Sequence, residues 1–134
     1  FSIGVNIFFK INQTLAKIMK NHKGYLASIE ETHHIHKLDK PSGTAITIAE
    51  GIIDNTDLND WHLDKSVENG LRINSVRKNE INGKHVVQYT SDIDLISLYH
   101  EAYNRDGFAS GAILAAEWIL GKKGIFKMDD VLNL

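Results

Sequence analysis

His33, His34, His36 and Lys37 fall within five residues of one another in the stretch EETHHIHKLDKPSGTA, Glu30 to Ala45, and are followed by Pro41, Ser42, Gly43 and Thr44. Imidazole is the side chain whose charge changes near neutral pH, and a lysine beside it is a cation that attracts an anion or supplies a proton. Acid–base chemistry on an anionic ligand is the first use for such a run. A metal centre is a second use, and the spacing argues against it. Zinc takes three or four convergent ligands, usually at helical i, i+4 spacing or in Cys/His pairs, whereas successive strand residues such as His33 and His34 point to opposite faces. A solvated loop without chemistry is the third.

Ser-Gly-Thr after a proline opens a helix. Ser42 or Thr44 can cap it, Gly43 lets the backbone approach a ligand closely, and the first N–H groups with the positive end of the dipole favour an anion. Taken alone, the same residues are equally well no more than a helix start. A nucleoside triphosphate is not the guest, because GxxxxGK[ST] is absent. A carboxylate suits the site better. Together the two features describe a pocket in which backbone amides, Lys37 and His34 grip a small anion while an imidazole handles protons, an arrangement fit for a dicarboxylate.

These residues must be positioned by the elements around them. Ile7, Phe8, Ile11, Leu15, Ile18 and Met19 recur at three- and four-residue steps and predict a helix over Asn6 to Asn21. Tyr25 to His33 reads as a strand that delivers the histidines, and TAITIAEGIID as a second helix. The polar segment Asn55 to Gly70 has little periodicity and reads as a long surface connection. Three strands follow, Leu71 to Lys78, His85 to Thr90 and Ile93 to Tyr103, the first two expected to form a hairpin through Asn82-Gly83. A last helix, Asp106 to Leu120, and a short turn at MDDVL close the chain. The expected fold is α+β, a mixed four-stranded sheet with helices on one face. Ile93, Leu95, Ile96 and Leu98 put apolar groups on both sides of their strand, so the other face is expected to be covered by another subunit.

With 134 residues, 43% hydrophobic and 24% charged, the chain has the composition of one globular domain. A formal charge of -2 without a basic run gives no reason to propose nucleic acid. The absence of cysteine excludes thiol chemistry and disulfides. No apolar run reaches the roughly 18 residues of a membrane span, and FSIGVNIFFK lacks a signal-peptide pattern. A soluble, cytoplasmic protein is expected, and a chain that starts on Phe1 without methionine is expected to be part of a longer one.

The stretch Glu30 to Ala45 closely resembles the signature of the 4-hydroxy-tetrahydrodipicolinate reductases, E-[AT]-H-H-x-x-K-x-D-x-P-S-G-T-A, with Thr32 where many members carry alanine. HEAYNRDGFASGA and GIFKMDDVLNL are similar to the family's late segments, so the resemblance runs along the chain. It implies that residues 1–134 are the C-terminal substrate-binding and tetramerisation domain of an NAD(P)H-dependent oxidoreductase of lysine (diaminopimelate) biosynthesis. NADH or NADPH would be held mainly by an N-terminal dinucleotide-binding domain outside this chain. The substrate would be a heterocyclic dicarboxylate, and the assembly a homotetramer. By the same resemblance His33 and Lys37 are catalytic, and His34, His36, Ser42, Gly43 and Thr44 bind substrate. Arg105 and Phe1 lie near pocket or cofactor, and no metal is implied. Two other functions stay open at this point: a non-catalytic anion-binding module of a related oxidoreductase, and a histidine-rich metal-binding protein.

Overall fold

The computed structural model describes every residue from Phe1 to Leu134. α1 (Ile3–Met19) begins before the expected start because Ser2 caps it, its hydroxyl accepting the Val5 N–H. There follow β1 (Leu26–His33), α2 (Gly43–Ile53), β2 (Asp60–Leu63), β3 (Gly70–Arg77), β4 (Lys84–Thr90), β5 (Leu95–Glu101), α3 (Asp106–Trp118) and α4 (Met128–Leu132). No helix is long and apolar enough to cross a membrane.

The sheet has five strands, ordered β2-β3-β1-β4-β5, and not the four expected. The extra strand, β2, lies in the segment taken for a surface connection. It pairs only with β3, so four residues with one partner suffice, too few for periodicity to mark. The expected hairpin between β3 and β4 is also absent. β1 lies between them, parallel to β3 and antiparallel to β4. The left-handed residue of their connection is Asn79, at φ 51°, and neither Asn82 nor Gly83 has positive φ. A local turn signal carries no information about a strand from far upstream entering the gap. β4 and β5 do pair antiparallel, as the short Ser91-Asp92 connection suggests.

One face of the sheet is covered by helices. Ile29, Leu71, Ile73, Val87 and Tyr89 pack against Phe8, Ala16 and Met19 of α1 and Ala45, Ile48, Ala49 and Ile52 of α2. Between the two helices the Asn12 side chain donates to the Ile48 carbonyl at 3.0 Å. Leu98 stands opposite Val87 and packs on this core, so it is not an outward residue. Leu95 and Tyr99 take the opposite face and are 53% and 56% exposed. The central place of β1 brings its last residues, the start of α2 and the ends of β3 and β4 to one end of the sheet.

Candidate active site

A cavity of about 300 Å³ opens at that end. His33 reaches it from the last position of β1, His34 and Lys37 from the turn that follows, and Ser42, Gly43 and Thr44 from the first turn of α2. Arg105 closes it from the residue before α3, with Asn82 and Phe108 beside it. None of the nine lining residues is acidic, so the permanent charges are those of Lys37 and Arg105. Gly43 and Thr44 are the first residues of the helix and their N–H groups have no intrahelical acceptor. A Cβ at Gly43 would meet nothing, so a ligand can approach the backbone there. Cations, free amides and a helix N-terminus together favour an anion. A larger hollow of about 420 Å³ lies at the other end of β1, lined by Lys20, Lys23, Asp57 and Glu68, whose formal charges cancel.

Two expected residues are not brought in. The chain turns after β1, with the Lys37 N–H on the His34 carbonyl at 3.1 Å, and this sends His36 out to solvent, 3.4 Å from Glu80. Phe1 is 67% exposed and lies off the cavity, its carbonyl against α3 at Gly111. The divergence expected of His33 and His34 does not arise, because the strand ends at His33 and both line the cavity.

Behind the cavity lies a buried network. Glu31, fully buried, accepts from His33 Nδ1, from the Ser75 hydroxyl and from Arg77 Nη1, the last at 2.9 Å. Burial alone would raise the Glu31 carboxyl, but the three donors outweigh it and hold the group at about 2. Arg77 further donates through Nε to the Lys37 carbonyl at 3.1 Å and through Nη2 to the Asp39 carbonyl. Asp39 in turn pairs with the Lys37 amine at 2.8 Å. His85 lies edge-on to His33, ring centroids 5.1 Å apart, and burial first, then the neighbouring His33, pushes it down to about 4. It is neutral at pH 7. Its Nε2 meets the Ser42 hydroxyl at 3.2 Å, and the same hydroxyl accepts the Ala45 N–H and so caps α2. Gly83 is needed for close approach, since a Cβ there would lie 3.1 Å from His33 Nε2.

Potential ligand atoms of Glu31, His33 and His85 lie within 4.8 Å of one another. The Arg77 guanidinium already occupies the carboxylate with a fixed positive charge, which opposes a bound cation there. One signal for Glu31 was present in the sequence: strand residues two apart share a face, so Glu31 had to lie beside His33. Ser75, Arg77 and His85 come from other strands, whose register the sequence does not state.

Residues 4–132 match the family model described as dihydrodipicolinate reductase, C-terminus. The chain belongs to that family. Within the dihydrodipicolinate reductases, it is 48% identical over 134 residues to the 4-hydroxy-tetrahydrodipicolinate reductase of Christiangramia forsetii, covering 99% of this chain and 56% of that protein. It is 39% identical over 142 residues to the reductase of the same name from Pelagibacter ubique, covering 98% of this chain and 54% of the relative. Among solved structures it resembles a dipicolinate-bound dihydrodipicolinate reductase from Paenisporosarcina sp. TG-14. The TM-score is 0.77 at 25% identity, over 98% of this chain and 52% of that one. The chain thus spans about half the length of the reductases it matches.

Proposed function

We propose that this chain is the substrate-binding domain of a 4-hydroxy-tetrahydrodipicolinate reductase, acting in the cytoplasm in lysine biosynthesis by the diaminopimelate route. In that reaction a hydride from NADH or NADPH and a proton are added to the unsaturated ring while water leaves. What carries the assignment is the convergence of His33, His34, Lys37, Ser42, Gly43, Thr44 and Arg105 on one small cavity without an acidic group. The amides of Gly43 and Thr44 and the Thr44 hydroxyl suit one carboxylate of the substrate, and Lys37 and Arg105 supply the charge that attracts a dianion. His33 and Lys37 are the groups that deliver the proton. Their presence on the cavity favours turnover over a non-catalytic module.

The dinucleotide does not fit this chain by itself. No GxGxxG follows any of its strands, and a cavity of about 300 Å³ has room for one small ring and not for a dinucleotide. Its hydride-donating ring is held by residues outside this chain.

Pyridine-2,6-dicarboxylate is the ligand to test, since it is a planar relative of the substrate and the solved reductase from Paenisporosarcina is dipicolinate-bound. Calorimetric titration of the full-length protein should show binding that disappears in a double variant, Lys37→Ala with His34→Ala. Unchanged affinity in that variant would remove the dicarboxylate from this cavity.

We infer also that the face of the sheet away from the helices is an interface in a homotetramer. Leu95 and Tyr99 on β5 and Leu26 on β1 leave apolar surface exposed there. Leu95→Glu should give a smaller particle by light scattering at unchanged circular dichroism. A tetramer that persists in this variant speaks against the interface.

A further inference from the structure

Of the two nitrogens of His33, only Nδ1 has a partner in the chain, the buried Glu31 carboxylate. A carboxylate only accepts hydrogen bonds, so Nδ1 carries the hydrogen and Nε2 is left as the nitrogen available for exchange. Glu31 has little freedom itself. Its Oε1 is held by Ser75 and by Arg77, both from β3, and its backbone is paired on both sides, with Ser75 in β3 and His85 in β4. His85 completes the enclosure from β4, its ring at 72° to that of His33. The groups that face His33 are therefore Glu31 of its own strand, Arg77 of β3, His85 of β4 and Lys37 of the following turn.

We propose that Glu31 is the positioning residue for His33: fixed by Ser75 and Arg77, it takes the Nδ1–H and so holds the ring in one tautomer and one orientation, with Nε2 as the atom that exchanges a proton with the ligand. This rests on the catalytic role proposed above for His33. A structural ion pair between Glu31 and Arg77 would need no histidine, whereas here one oxygen of the carboxylate serves β3 and the other serves the imidazole. The division of the two oxygens is what an orienting carboxylate behind a functional imidazole looks like.

The test is made on the full-length protein labelled with ¹⁵N-histidine, with the His33 signals assigned by their loss in His33→Gln. Long-range ¹H–¹⁵N spectra of the wild type should show a protonated Nδ1 and an unprotonated Nε2 at a pH where the ring is neutral. The opposite tautomer in the wild type overturns the proposal without any need for a variant. Glu31→Gln keeps the volume but removes the charge, and its amide can turn an N–H toward the ring. It should convert His33 to the other tautomer or a mixture, and lower kcat by at least about 10-fold with KM within about threefold, the lower end of the usual cost of losing such a partner. Full turnover in Glu31→Gln with the tautomer unchanged refutes Glu31 as the positioning residue, provided His33→Gln is inactive. Full turnover in His33→Gln instead removes the catalytic role of His33 and the positioning role of Glu31 with it.

Discussion

Lys37→Ala in the full-length protein is expected to lower kcat by about 10²- to 10⁴-fold, the usual contribution of a positioned proton donor. The Lys37 amine lies on the cavity, and three contacts fix the short turn that carries it. Its N–H holds the His34 carbonyl, its own carbonyl receives Arg77 Nε at 3.1 Å, and its amine meets Asp39 at 2.8 Å. Alanine leaves the two backbone contacts in place, so the turn should keep its shape and the loss should fall on chemistry and charge. Those two are separable. If Lys37 only attracts the dianion, KM rises and kcat at saturation stays close to normal. If it delivers a proton, kcat falls and stays low at saturating substrate. Steady-state kinetics at saturation decide between them, and a kcat within fivefold of wild type would sink Lys37 as the proton donor.

The second large effect concerns stability. Arg77→Ala removes the cation that compensates a carboxylate with no access to water, and breaking a buried pair in this way costs about 3–5 kcal/mol. The pH dependence gives the loss a signature. In the wild type Glu31 is held at about 2, below its ordinary 4.5, so its contribution is fully present above that ordinary value and is lost as pH falls from 4.5 toward 2. Without Arg77 one of the three donors that hold the carboxyl down is lost, so the folded carboxyl rises and less of its contribution remains where the group ionises. The stability gap between wild type and variant should therefore be widest near neutrality and should narrow as pH falls through 4.5 toward about 2. Urea melts across that range measure it. A gap under about 1 kcal/mol, or one that does not change with pH, would mean that water or another donor replaces the guanidinium.

The cavity was more legible than the sheet around it. His33, His34, Lys37, Ser42, Gly43 and Thr44 are neighbours in sequence, and a strand, a turn and a helix start are enough to bring them together. His36 shows the limit of that reasoning, since a single turn residue decides whether a side chain faces inward, and nothing local fixed it. β2 escaped because an edge strand of four residues carries no period. The misread hairpin has the opposite cause: Asn82-Gly83 is a strong local signal, but pairing of β1 on both sides was stronger. Arg77 could not be found at all, because its meaning depends on the parallel register that sets it beside His33. The same is true of Ser75, which stands opposite Glu31 in that register.

β1 is bonded along both edges, and this separates the two proton-carrying groups in how deeply they are tied into the fold. His33 is the last rung of the ladder to β3, opposite Arg77 and with its carbonyl accepting the Lys78 N–H, while the pairing to β4 ends one residue earlier at Thr32. Lys37 sits beyond the last rung, in a turn held by Arg77 from β3, by the Ile35 N–H on the Asn79 carbonyl and by contacts within the turn itself. One end of the cavity is thus part of the sheet, and the other is carried by a turn outside it.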